Sequence, residues 1–172
     1  MAASNTNPGA GAPSDPPARL LSAAALQDRL EEEVSRAERQ GSELACMLVM
    51  IENLEELAAS HGQQLRGQLP RYLAGALESE LRRFDAIGLA GEDELLVVLP
   101  GADSTRAEVV ARRALERVRA IKIEAQGART PLHTAVGLAA WQDGMSAGEV
   151  LDSARAAVRA SSAGTANGDT SF

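Results

Sequence analysis

Apolar positions along the chain switch between two spacings. Leu26, Leu30, Val34 and Ala37 recur at helical intervals within roughly residues 20–40, and Gln40-Gly41 closes the segment as a glycine after a helix does. "ELACMLVMI" is then an unbroken apolar run, the pattern of a central strand buried on both faces. "NLEELAAS" predicts a short helix. Leu65, Leu69, Leu73, Leu77 and Leu81 form an i,i+4 ladder on a helix expected to end near Arg83, with Pro70 in its first turn, where a missing N–H costs little. "DAIGLA" and "ELLVVLP" predict a hairpin across "GED". Thr105 and Glu108 have capping-box spacing for the following helix, whose Ala111, Leu115 and Val118 face inward. "IKIEA" reads as a short edge strand, "LHTAVGLAAW" as a further strand and "AGEVLDSARAAVRA" as a last helix. The order α–β–α–α–β–β–α–(β)–β–α predicts an α+β fold with a ferredoxin-like, split βαβ core: a central, mostly antiparallel sheet flanked by helices.

The ends differ in composition from the middle. Residues 1–18 are rich in Pro, Gly, Ser, Asn and Ala and read as a disordered leader, residues 163–172 as a disordered tail, and residues 19–162 as the folded domain. A chain of 172 residues with 45% apolar content supports one core. Lys+Arg 17 against Asp+Glu 24 leaves −7, which argues against a general nucleic-acid surface, and 2% aromatics leaves few stacking platforms. A local arginine cluster is still compatible with that balance. The single cysteine, Cys46, lies in the apolar run and is expected to be a buried structural thiol. Neither a signal core nor an apolar run of membrane-spanning length is present, so a cytoplasmic protein without membrane insertion is expected. His61 and His133 have no ligand set near them in sequence, and Trp141 is expected to plug the rim of the core.

The hairpin is where chemistry concentrates. "DAIGLAGEDELLVVLPGAD" resembles the hairpin signature of the GGDEF (diguanylate cyclase) domain family, D-x-x-x-R-Y-G-G-D-E-F-x-x-x-L-P, without insertion between Asp85 and Pro100. Upstream, "DPPARLLSAAAL" fits that family's opening, with Asp15, Pro16 and Leu20 matching and Leu26 standing for its Phe. "HTAVGLAAW" looks like its T-x-S-x-G-x-A strand, with Gly137 retained. The resemblance covers residues 15–165 and implies a nucleotide-cyclase-like fold in bacterial signalling. Working members join two GTP molecules into cyclic di-GMP on paired, metal-loaded domains.

Carried over residue by residue, the resemblance implies that most of that machinery is replaced. The first metal-binding Asp falls at Met50, whose thioether does not suit a hard cation. The guanine-reading Asn and Asp fall at Ala58 and Gly67, and a Lys beside the triphosphate at Glu55. The second signature glycine is Glu92, and the phosphate-holding Lys and Arg fall near Ser162 and Ala166. Asp93 alone matches a metal-binding carboxylate, and one carboxylate does not bridge two metals. The expectation is therefore a chain that is not an enzyme, with no catalytic residue, no metal, no cofactor, and a vestigial Asp93 in a solvated acidic turn.

One feature of the family survives. Its product-inhibition motif R-x-x-D falls on "RRFD", giving Arg82 and Asp85, and a further family arginine falls on Arg113, or on Arg112 with the helix offset by one. Guanidinium forks bind phosphate oxygens and guanine acceptor edges, and a carboxylate accepts from guanine N–H groups. The resemblance thus implies a cyclic di-GMP receptor through Arg82, Asp85 and Arg113. Arginines at a helix end and an Asp that caps a segment give the same pattern for structural reasons alone. The alternative is a nucleotide-independent protein-interaction or dimerisation module, with the Glu/Arg-rich helix "RLEEEVSRAERQ" as a route to a partner. A third possibility is residual turnover of a nucleoside triphosphate through Asp93, Glu92 and Glu94.

Overall fold

A computed structural model describes residues 19–125 and 127–165. The expected leader, residues 1–18 with Asp15 and Pro16, lies outside the described residues, as does Ala166. A two-residue strand, β1 (Leu20–Leu21), precedes α1 (Ala23–Gln40); then come β2 (Leu44–Ile51), α2 (Leu54–His61), α3 (Leu65–Glu78), β3 (Ala86–Leu89) and β4 (Glu94–Pro100). After α4 (Ser104–Arg119) a small hairpin of β5 (Ile123–Ala125) and β6 (Ala128–Thr130) leads to β7 (Thr134–Ala140) and α5 (Ala147–Thr165). Five strands form one sheet in the order β1-β3-β4-β2-β7. Its pairings are antiparallel except for the parallel contact of β1 with β3. This is the α+β architecture the apolar pattern predicts.

Alternation along the strands divides the core between two faces. Met47, Val49, Ile51, Leu95, Val97 and Leu99 face α2, α3 and α4, while Leu44, Cys46, Leu48, Leu96 and Val98 face α1 and α5. The apolar run read as a doubly buried strand is β2, the central strand, paired on both edges. Cys46 is fully buried, and burial pushes its thiol up to about 12. Gly137 lets α5 lie against β7: a Cβ there would meet the Val158 nitrogen at 2.4 Å and the Ala154 oxygen at 2.6 Å.

Local details depart from the sequence reading in three places. Pro70 is the sixth residue of α3, not in its first turn, because Leu65 and Leu69 already belong to the stripe that packs on the core. The missing Pro70 N–H leaves one helical bond unmade there. The helix then stops at Glu78, and Leu81 sits in the following turn with its N–H on the Glu78 carbonyl. The cap of α4 is Asp103, whose Oδ1 accepts from the Arg106 N–H at 2.8 Å, in place of Thr105. The segment "IKIEA" pairs only with β6 and not with the main sheet. At the other end, α1 is capped as expected, by Ser22 at its start and by Gly41 at φ 62°. No helix among the described residues is long and apolar enough to cross a membrane.

Candidate functional site

Two regions, at opposite ends of β3, hold the residues singled out by sequence. The first is the tip of the β3–β4 hairpin. Its turn is closed by the N–H groups of Ala90 and Gly91 on the Glu94 carbonyl, at 3.0 and 3.4 Å. The Ile51 N–H donates to the Asp93 carbonyl at 2.8 Å, which binds the tip to the end of β2. Met50 stands directly opposite Glu94 across the β2–β4 ladder.

The acidic tip is compensated by arginines from distant segments. Arg155 on α5 donates to the Glu94 carboxylate from Nη2 at 2.8 Å and Nε at 3.1 Å, and to the Ala90 carbonyl at 3.3 Å. Its hydrogen bonds to Glu94 hold the guanidinium proton more tightly than usual. Arg66 on α3 grips Glu55 with both Nη groups and approaches Glu92 at 3.5 Å. The same contact lowers the Glu55 carboxyl below its ordinary range. Glu52 accepts from the Ser162 hydroxyl, so Ser162 joins α5 to the end of β2. Ala58 lies on the buried face of α2 at 1% exposure rather than turned outward, and Gly67 has open space around it.

Among the described residues, no three His, Cys, Asp or Glu side chains converge where a metal ion would sit. Met50 offers a thioether and Glu94 is committed to Arg155, so the donors around Asp93 do not fit the several oxygen ligands a magnesium ion takes. His61 instead shares a 2.7 Å hydrogen bond with Thr130, and the His133 N–H donates to Asn53. Trp141 donates from its indole to the Met145 carbonyl at 2.9 Å, at the edge of the core.

The second region is the turn from Arg82 to Asp85, between α3 and β3. The Asp85 side chain, only 3% exposed, accepts from the Arg82 N–H at 2.7 Å, and the Asp85 N–H returns to the Arg82 carbonyl at 3.1 Å. Asp85 thus fastens the turn from inside, with Arg106 of α4 lying 4.0 Å from the same oxygen. Two arginines from the beginning of the domain hold the turn from outside. Arg19 donates to the carbonyls of Arg82 and Asp85, at 2.6 and 2.5 Å, and Arg29 donates to the carbonyl of Phe84 at 3.1 Å. Arg29 is itself braced by the buried Glu33, which also accepts from Arg36.

The turn displays Arg82, Arg83 and Phe84 to solvent, while Arg112 and Arg113 are exposed on α4. The guanidinium groups of Arg82, Arg83, Arg112 and Arg113 have no carboxylate partner among the described residues. Glu80, a nearby acid, is taken by Arg117 at 2.9 Å. The structure therefore leaves Arg82 and Arg113 open, turns Asp85 inward and adds Arg106. Sequence reading passes over Arg19, Arg66, Arg106 and Arg155, and over the reach of Arg29 to Phe84, because each of these contacts joins segments far apart in the chain. The i,i+3 spacing of Arg82 and Asp85 signals a contact in advance, as does the i,i+4 spacing of Arg29 and Glu33.

The comparisons with known proteins converge on this frame. The family model for the diguanylate cyclase GGDEF domain matches residues 12–167. The diguanylate cyclase DgcP of Pseudomonas aeruginosa is 36% identical over 106 residues, 62% of this chain and 15% of DgcP. The diguanylate cyclase SiaD of the same organism, solved with its activator SiaC, superposes with a TM-score of 0.76 at 25% identity, over 82% of this chain and 54% of SiaD. The GGDEF domain of DgcB from Caulobacter crescentus, solved with c-di-GMP, superposes with a TM-score of 0.78 at 19% identity, over 85% of each chain. The chain thus spans a small part of DgcP and about half of SiaD.

These relatives overturn the expectation that the chain is not an enzyme, since DgcP and SiaD are diguanylate cyclases. That expectation weighed only side chains at matched positions of one chain. The fold also brings Arg66 of α3 within 3.5 Å of Glu92 at the hairpin tip, a contact that residue-by-residue matching does not register.

Proposed function

Because the chain belongs to the diguanylate cyclase GGDEF-domain family, we propose that this module of cyclic di-GMP signalling takes up the dinucleotide on the Arg82–Asp85 turn together with Arg113. One observation carries the reading. Arg82, Arg83, Arg112 and Arg113 are exposed and without acidic partners in a chain whose net charge is −7. Exposed guanidinium groups without acidic partners, on a turn and on the helix that meets it through Arg106 and Asp85, offer a local anion site on an acidic protein. Two forks on phosphate or guanine oxygens contribute about 1.5–3 kcal/mol each, and three or four such bonds reach micromolar affinity, about −8 kcal/mol. In this reading Arg82 and Arg113 hold the ligand, and Asp85 sets the direction in which Arg82 points.

A protein partner is the second reading, supported by SiaD, a relative solved with an activator protein. The test is calorimetric titration of the full chain with cyclic di-GMP, beside an Arg82→Ala variant. Micromolar binding that the variant weakens by about tenfold or more supports the receptor reading. Absence of heat up to millimolar ligand removes it and turns attention to the protein partner.

A further inference from the structure

Phe84 is 70% exposed, and the only other large apolar side chain exposed among the described residues is Val109, at 37%. Both belong to the elements that carry the open arginines. Phe84 lies between Arg83 and Asp85 on the turn, and Val109 stands on α4 one turn after Arg106 and one turn before Arg113. The chain has only four aromatic residues, and Tyr72 and Trp141 are both partly covered. A phenyl ring set in water among cations is therefore an unusual use of a scarce residue.

The backbone beneath the ring is held firmly. Arg29 holds the Phe84 carbonyl at 3.1 Å, and Arg19 grips the carbonyls on either side. The ring is thus presented from a fixed turn, and its exposure does not come from a loose loop. Side by side, the turn offers an aromatic face and several guanidinium groups. That pairing suits a ligand with a flat base and an anionic backbone: bases stack on the ring while phosphates meet the cations. A protein contact is the other use of an exposed aromatic beside arginines, and the variants below separate the two.

We infer that Phe84 is a stacking surface for a purine base of a bound cyclic dinucleotide, which makes it a recognition residue alongside Arg82. This rests on the reading of the Arg82–Asp85 turn as the ligand site and adds a separate contact to it. The ring replaces water on one face of the base, so the stacked base is the one nearest the turn, with its phosphate within reach of Arg82 or Arg83.

The experiment is titration of the full chain with cyclic di-GMP, comparing the native protein with Phe84→Ala, Phe84→Leu, Phe84→Trp and Arg82→Ala. At 70% exposure the ring contributes little to the core, and thermal unfolding of each variant confirms that the fold is kept. Phe84→Ala is expected to weaken binding by about five- to a hundredfold, the range of a single base–aromatic stack. Phe84→Leu is expected to fall with the alanine variant and Phe84→Trp to restore affinity, with its new indole fluorescence quenched by the ligand. Native-like affinity of Phe84→Ala, alongside a loss in Arg82→Ala, overturns the stacking role and leaves the arginine site standing. Full affinity in Phe84→Leu also overturns it, because shape alone then suffices. Self-association that Phe84→Ala abolishes, seen by sedimentation without ligand, reassigns the ring to a protein contact. No binding by the native protein overturns the site itself, and the stacking role with it.

Discussion

Arg155 and Glu94, 61 positions apart, are joined by hydrogen bonds of 2.8 and 3.1 Å between α5 and the first residue of β4. The Glu94 side chain is 15% exposed, so its charge depends on that partner more than on water. Removing the arginine leaves a largely buried carboxylate uncompensated. Arg155→Ala is expected to lower the unfolding free energy by about 1–3 kcal/mol, and Glu94→Gln in the same background to recover part of it. A urea-melt double-mutant cycle measures the coupling. A coupling near zero would show the pair to be idle.

Gly137 makes a sharper prediction. Two backbone atoms of α5 lie within 2.6 Å of where its Cβ would stand, and helix backbone does not swing aside as a long side chain does. Gly137→Ala is expected to cost about 3 kcal/mol or more by forcing α5 away from β7. Chemical denaturation reads this directly, and a loss below about 1 kcal/mol would mean that the helix shifts freely.

Burial of Cys46 implies a pH dependence with a definite sign. The thiol ionises near 8.5 in an unfolded chain and only at about 12 inside β2. Its folded value is raised, so its contribution to stability is complete below about pH 8.5 and declines as pH rises toward 12. Between those limits the slope is about 1.4 kcal/mol per pH unit. Comparing the native protein with Cys46→Ala across that window isolates the term. Parallel pH profiles would show that the thiolate is accommodated in the fold.

The bond from Arg29 to the Phe84 carbonyl is expected to govern how firmly the Arg82–Asp85 turn is held. Arg29→Ala should accelerate hydrogen exchange at the Asp85 amide and weaken cyclic di-GMP binding several-fold, without touching the ligand. The exchange rate is the decisive reading. An unchanged rate would show that Arg19 and Asp85 hold the turn by themselves.

Much of the fold is legible in the sequence because it follows from burial periodicity. The unbroken run at β2, the α1 stripe and the hairpin are each local patterns. Features set by tertiary contact are not legible in this way. Pro70 inside α3 is tolerated because the leucines around it are buried, and β1 is a two-residue strand that exists only through its pairing with β3. The candidate site divides along the same line. Arg82 and Asp85 announce their contact by spacing, whereas Arg19 reaches the turn across 63 and 66 positions and leaves no local trace. Composition hides Phe84, since 2% aromatics predicts few stacking surfaces and does not say where the few rings lie.

Arg19 and Arg29 grip carbonyl oxygens, which every residue carries whatever its side chain. The shape of the turn is therefore uncoupled from the identities of residues 82, 83 and 84. Those three positions form an interchangeable display on a fixed mount. Single substitutions at those positions therefore change what the surface displays without renegotiating the fold, provided that Arg19, Arg29 and Asp85 stay in place.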